Sequence, residues 1–285
     1  MKNTAIIITV FAAIIGTASV SFGDVKKCSG ISRKNAFQKL PIQKKYFAVA
    51  ETNAATVSIP NDPRKPLDRK QNPEYNAIGV VNTDLGRGSA WLGNKCLVWT
   101  AKHNLGRDQN VIGKKVKFSA GQSSSSNKDF EYTVDGEVVE SGNPSGGTPD
   151  AGAEDWVLIK LNKSFSEDQV KPIKTAQYSV EDAGTCKTLE VAGYPGEKDV
   201  RTLWYQTNCG LRTSDSDITA LTVGCPITPG NSGGPLLCRE TDGSLRAIGI
   251  MNQYFVSATK GTAVNFTYDW REAKAAFQKH KDTCP

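Results

Sequence analysis

The run Gly230-Asn231-Ser232-Gly233-Gly234-Pro235 places a serine inside a glycine-framed turn, an arrangement suited to acyl transfer. A serine hydroxyl is a weak nucleophile at neutral pH until a base takes its proton. Flanking glycines allow backbone angles that a Cβ forbids. Such a turn can aim the N–H groups of Gly230 and Ser232 at one point, where an oxyanion would develop. Ordinary hairpins use the same composition, so the run gains meaning only with a base and an orienting acid.

Only two histidines are available. His103 closes the β-rich stretch Val98-Trp99-Thr100-Ala101-Lys102 and is the candidate general base. His280 lies in the polar tail Gln278-Lys279-His280-Lys281, where a solvated surface role is expected. The acid should be a carboxylate that fixes the imidazole tautomer and stabilises the imidazolium. Asp155 opens the apolar run Trp156-Val157-Leu158-Ile159, which reads as a core strand, so its carboxylate can be partly buried yet face a cleft. Glu154, on the opposite face of an extended chain, and Asp150, in the glycine-rich loop before it, are the rivals.

The order His, Asp, Ser and the local wording resemble the chymotrypsin-like serine proteases. Thr100-Ala101-Lys102-His103 stands where that family has Thr-Ala-x-His, Asp155 and its strand where it has the acid, and Gly230 to Pro235 where it has the nucleophile loop. The nearer likeness is to bacterial trypsin-like peptidases related to glutamyl endopeptidases. It extends through "NDPRKPL…NAIGVV", "GSAWLG" and "VAGYPGEK", from about Asn61 to Trp270. The resemblance implies a triad of His103, Asp155 and Ser232, with an oxyanion hole from Gly230 and Ser232. It implies disulfides Cys186–Cys238 and Cys209–Cys225, leaving Cys28, Cys96 and Cys284 with at least one thiol over.

A substrate pocket is implied too, with its floor six residues before the nucleophile at Pro226 and its walls at Ile227, Thr228, Met251, Asn252 and Gln253. Pro226 offers no carboxylate for a basic substrate side chain. Met251 stands near the place where glutamate-specific relatives use a histidine. Neither charged preference is therefore expected. In many members an aspartate precedes the nucleophile and pairs with a newly cut N-terminus. Asn231 is neutral, so the loop is expected to form without a terminal insertion.

The elements that must position these groups read as short β-rich pieces separated by turns. Six lie at 76–81, 88–92, 96–101, 115–119, 130–138 and 156–161, and six more at 189–194, 203–209, 218–223, 235–238, 245–251 and 262–265. Many short strands at modest spacing predict an all-β protein with barrels. With the resemblance, the fold expected is two packed six-stranded antiparallel barrels, about 76–165 and 175–266. The active site would lie in the cleft between them. Asp269-Trp270-Arg271-Glu272 has capping-box form, and Trp270, Ala273 and Phe277 share one face of a terminal helix predicted over 269–280.

Composition fits an exported enzyme. Met1-Lys2-Asn3, the apolar run 5–15 and the small residues up to Gly23 form a signal-peptide pattern too short to span a membrane comfortably. The cut is expected after Gly23, with Ala18 and Ser21 as alternatives, giving a secreted or periplasmic protein with no stable membrane anchor. Cys28 lacks a lipobox-like context. Seven cysteines in such a chain argue for disulfides over a metal site or thiol chemistry. Residues 24–60 form a possible propeptide or N-terminal arm, and 61–285 the protease domain.

The net charge of +6 is spread along the chain rather than gathered on one face. The basic run 64–70, broken by proline and aspartate, reads as a solvated segment or processing site within a linker. Nucleic-acid partners, cofactors and metals are not expected; polypeptide substrates and a monomeric state are. Two functions from different classes remain: a serine endopeptidase acting through an acyl-enzyme, and an inactive protease-fold protein that binds peptides.

Overall fold

The computed structural model describes residues 59, 61–106, 110–122, 132–142, 154–175, 185–212, 220–257, 261–267 and 271–285, with 211–223 and 253–272 described by backbone alone. The expected signal peptide, the 24–60 segment apart from Ile59, Cys28, Asp150, Asp269 and Trp270 lie outside them.

Six strands close the first barrel: β2 (Ile78–Thr83), β3 (Gly86–Leu92), β4 (Leu97–Thr100), β5 (Lys115–Ala120), β6 (Tyr132–Ser141) and β7 (Val157–Leu161). Their order around it is β2-β3-β4-β7-β6-β5. Closure leaves no exposed edge. Strand β4 is buried at every residue instead of alternating, because other elements also cover it, Phe277 near the chain end stacking on Trp99. Trp91 and Trp99 pair across β3 and β4, and Trp99 also meets Trp156 edge-on with ring centroids 5.8 Å apart.

The second half is one sheet built from β9 (Thr188–Gly193), β10 (Trp204–Gln206), β12 (Ala220–Val223), β13 (Pro235–Arg239), β14 (Leu245–Ser257) and β15 (Gly261–Thr267). Three two-residue pieces, β1 (Lys65–Pro66), β8 (Lys174–Thr175) and β11 (Leu211–Arg212), join that sheet and went unread because so short a piece carries no periodicity. Helix α1 (Arg271–His280) follows, with Ala273 and Ala276 buried and Phe277 stacked on Trp99 at 6.0 Å. The all-β architecture with a terminal helix is thus as expected.

Two readings are corrected. The run 64–70 is no solvated linker: β1 pairs with β10, Leu67 N–H donates to Leu203 O at 2.8 Å, and Arg64 and Arg69 are buried. Arg69 finds carbonyl acceptors on Tyr75 and Ile78, each at 3.0 Å. Local charge suggested solvent; tertiary acceptors more than 100 residues away in sequence, such as the Tyr194 hydroxyl, override it. His280 is not freely solvated either. Its ring Nε2 sits 3.1 Å from Glu140 Oε1 and helps hold α1 on β6.

Disulfides Cys186–Cys238 and Cys209–Cys225 are both present, with Cα–Cα distances of 5.3 and 5.1 Å. A third, Cys96–Cys284, ties the chain end to the start of β4 across 188 residues. Chain entropy makes this last bridge the most stabilising of the three, because loop-closure cost grows with loop length. Peptide mapping without reduction is expected to recover all three linkages. Replacing Cys96 and Cys284 together by serine should lower stability by about 2–5 kcal/mol, measured by thermal unfolding, while the nucleophile loop stays intact.

Candidate active site

Antiparallel pairing of β4 with β7 sets Thr100 opposite Val157. Residues just past the end of β4 and just before β7 must then emerge at the same edge of the barrel. His103 occupies the first place, on a 3-10 turn spanning Lys102–Leu105, and Asp155 the second. The imidazole Nδ1 lies 2.6 Å from Asp155 Oδ2, and the His103 backbone N–H donates to Asp155 Oδ1 at 3.0 Å. Both carboxylate oxygens are therefore engaged by one residue. This fixes the ring, while the His103 side chain stays 39% exposed. The rival Glu154 accepts through its backbone carbonyl from Trp156 N–H at 2.9 Å.

Ser232 sits on the turn between Thr228 and Pro235. Gly230 and Gly233 have φ of +95° and +85°, the left-handed region that glycine adopts without penalty. Close approach also demands them. A Cβ on Gly230 would come within 2.5 Å of Tyr194 O, and one on Gly233 within 2.1 Å of Thr100 Oγ1 and 2.2 Å of Ser89 O.

The aim of the turn follows from peptide planarity. In a trans peptide, the C=O and N–H point in opposite directions. Pro229 O is held by Gly196 N–H at 2.8 Å, so the Gly230 N–H of the same peptide faces away from Gly196. Asn231 O is held by Gly234 N–H at 2.9 Å, which turns the Ser232 N–H outward in the same way. Among the described residues no acceptor takes either N–H, whereas those of Asn231, Gly233 and Gly234 all find one.

Side chains that the sequence reading passed over join this turn to the histidine. Asn104, next to His103, donates from Nδ2 to Ser232 O and to Thr100 Oγ1, both at 2.9 Å. Ser89 Oγ donates to Gly230 O at 2.7 Å and accepts from Tyr194 N–H at 2.9 Å. The first barrel thus grips the nucleophile loop on both sides of the serine. The Ser232 hydroxyl makes no hydrogen bond among the described residues. In free enzymes this contact often tightens only when substrate binds.

Beneath the loop, Asn231 Oδ1 accepts from Thr228 N–H at 3.1 Å and from Arg64 Nη1 at 3.3 Å. Arg64 also donates to Thr228 Oγ1 at 3.0 Å, to Glu197 and, through Nε and Nη2, to both oxygens of Asp62. Lys198 Nζ lies 2.9 Å from Asp62 Oδ2. Burial opposes ionisation of Asp62, but hydrogen bonds from Arg64 and Lys198 outweigh it and hold the carboxyl at about 2.

Of the proposed pocket residues, Pro226, Ile227, Thr228, Met251 and Asn252 are buried beside the loop. Thr228 Oγ1 is committed to Arg64 and to Glu197 Oε2 at 2.6 Å. Met251 pairs its backbone with the turn, its N–H donating to Gly234 O at 2.8 Å and its carbonyl accepting from Gly233 N–H at 2.6 Å. A β-bulge at Asn252, between Met251 and Gln253, breaks the β14–β15 register there. Bulges commonly re-aim side chains beside active sites. The Gln253 side chain lies outside the described residues.

A closed β-barrel joined to a second β-sheet, with a glycine-framed serine at their junction, defines the chymotrypsin-like architecture. The family model described as Trypsin matches residues 75–270, and the chain belongs to that family of trypsin-like serine proteases. Among solved structures, one titled "Structure of Glu endopeptidase in complex with MPD" is similar, with a TM-score of 0.59 at 19% identity. It covers 79% of this chain and 99% of its own, and shows the shared fold. No curated protein matches the sequence.

Two outcomes test this geometry. Gly233→Ala should cost about 3 kcal/mol through overpacking and a left-handed alanine. Gly243→Ala, at a φ of +86° with nothing near its Cβ, should cost only about 1 kcal/mol; denaturant titration compares them. The lowered Asp62 carboxyl contributes stability present above its ordinary value of 3.8 and lost as pH falls through about 2. Asp62→Asn should therefore be less stable than wild type at pH 6, and the gap should close towards pH 2. A gap that stays constant across that range would contradict the assignment.

Proposed function

We propose that the protein is a secreted serine endopeptidase that cleaves peptide bonds through an acyl-enzyme formed on Ser232. The observation that carries this reading is the 2.6 Å contact between His103 Nδ1 and Asp155 Oδ2, one residue from the side chain that holds the Ser232 carbonyl.

His103 Nε2 takes the Ser232 proton as Oγ attacks the scissile carbonyl carbon. The carbonyl oxygen becomes the oxyanion, and the N–H groups of Gly230 and Ser232 donate to it. Asp155, bonded to Nδ1, orients the ring and stabilises the imidazolium. His103 then returns its proton to the departing amine, leaving an ester on Ser232. Water, deprotonated by His103, attacks that ester and releases the acid product.

Pro226, Ile227 and Met251 give the proposed substrate pocket an apolar character, favouring an uncharged side chain before the cut bond. Residues 1–23 act as an export signal and 24–60 as a propeptide or arm preceding the protease domain. Three disulfides suit an oxidising, extracellular compartment. No helix among the described residues is long and apolar enough to cross a membrane. A monomer acting on polypeptides is the working form.

Ser232→Ala and His103→Ala should each lower peptide hydrolysis by several orders of magnitude, while His280→Ala leaves it near wild type. Activity of the wild type should rise with pH across the range of about 5 to 8 in which imidazoles lose their proton. Wild-type turnover by the Ser232→Ala protein, or a flat profile through that range with chemistry rate-limiting, would point to a different mechanism.

A further inference from the structure

We infer that Arg64 is a positioning residue for catalysis: an internal guanidinium that sets the nucleophile loop from below and makes the oxyanion site independent of any cut N-terminus. The inference rests on the serine endopeptidase reading and adds to it the group that holds its loop in register.

Arg64 is well placed for this. Its side chain is 2% exposed, and it belongs to a segment fastened to the second sheet by β1. Every edge of the guanidinium is used. Nε and Nη2 face Asp62, Nη2 also faces Glu197, and Nη1 reaches Thr228 Oγ1 and Asn231 Oδ1. A planar fork can satisfy two carboxylates on one side and two loop oxygens on the other; an ammonium has too few donors in too compact a head. The surrounding charges are Asp62, Glu197 and Lys198, so the cluster of two cations and two anions is balanced and tolerates burial.

The loop contacts matter because of where they fall. Thr228 and Asn231 bracket Gly230, and Asn231 contributes the carbonyl of the peptide whose N–H belongs to Ser232. With Asn231 Oδ1 tied to Thr228 N–H and Arg64, the side chain cannot swing out, and its backbone stays in the orientation that turns the Ser232 N–H outward. Pro229 O is fixed next door by Gly196, the residue preceding Glu197, which itself holds Arg64 and Thr228. One guanidinium therefore connects both peptides whose N–H groups point into the cleft. Removing it leaves Asn231 Oδ1 and Glu197 held by Thr228 alone, and the two N–H groups lose the brace that sets their common aim. The oxyanion is met only during reaction, so the expected defect lies in kcat and in acylation rate, with KM little changed.

A chain beginning at Asn61 should carry a complete site, and one beginning at Asp68 should not.

The test measures acylation of Ser232 by a fluorophosphonate in the full mature chain, per mole of folded protein. Arg64→Ala leaves two carboxylates facing Lys198 alone, one negative charge in excess, so the paired change Arg64→Met with Glu197→Gln, which removes one cation and one anion together, guards against a simple folding failure. Folded paired variant should acylate at least tenfold more slowly than wild type, and Arg64→Lys should fall between. Millimolar guanidinium chloride, far below denaturing levels, should restore the Arg64→Ala rate. Acylation of the folded paired variant within twofold of wild type would overturn the inference, as would a slow Arg64→Ala rate that guanidinium leaves unchanged. Wild type that fails to acylate at all would instead remove the endopeptidase reading, and this inference with it.

Discussion

The planarity of two peptide units governs this site. Because Pro229 O and Asn231 O are each bound within the fold, the N–H groups of Gly230 and Ser232 face away from Gly196 and Gly234, and the proposed oxyanion site rests on that orientation. Nothing about the serine itself is unusual. What distinguishes it is that the backbone around it is fixed in the free protein, so in the proposed mechanism no reorganisation is needed when charge develops. The two left-handed glycines are the conformational requirement for that fixing, and the surrounding carbonyls and hydroxyls leave no room for a side chain at either one.

The two halves of the molecule divide the work. The first barrel supplies the imidazole and its carboxylate through simple strand register, then reaches across with Ser89 and Asn104 to hold the loop of the second. Tyr194, from the second half, returns the contact by donating its hydroxyl to Gln122 O at 2.7 Å. The seam is thus polar and directional, which fixes the spacing of His103 and Ser232 more strictly than apolar packing would. Trp99 anchors the other side of the first barrel, where α1 and the Cys96–Cys284 bridge hold the chain end.

Much of this was legible from residue order. The glycine-serine turn, the histidine at a strand end and the aspartate at a strand mouth each have a local signature, and all twelve expected strands correspond to observed ones. Cys186 and Cys209 found the partners that the family resemblance implied, while Cys96 and Cys284 did not reveal theirs, since proximity across 188 residues leaves no local trace. Arg64 and Arg69 misled for the same reason. A basic residue beside proline and aspartate looks solvated until its distant acceptors are known. Asn104 was the nearest miss: it follows His103 directly, but only the fold shows that its amide faces Ser232 O.

The most direct test of the account is a high-resolution crystal structure of the enzyme inhibited by a peptidyl phosphonate, whose phosphoryl oxygen mimics the oxyanion. The account predicts phosphorus bonded to Ser232 Oγ, with that oxygen accepting from both Gly230 and Ser232 N–H at about 2.7–3.1 Å, and Pro229 O still on Gly196. A flipped Asn231–Ser232 or Pro229–Gly230 peptide, or an adduct on any other residue, would contradict it.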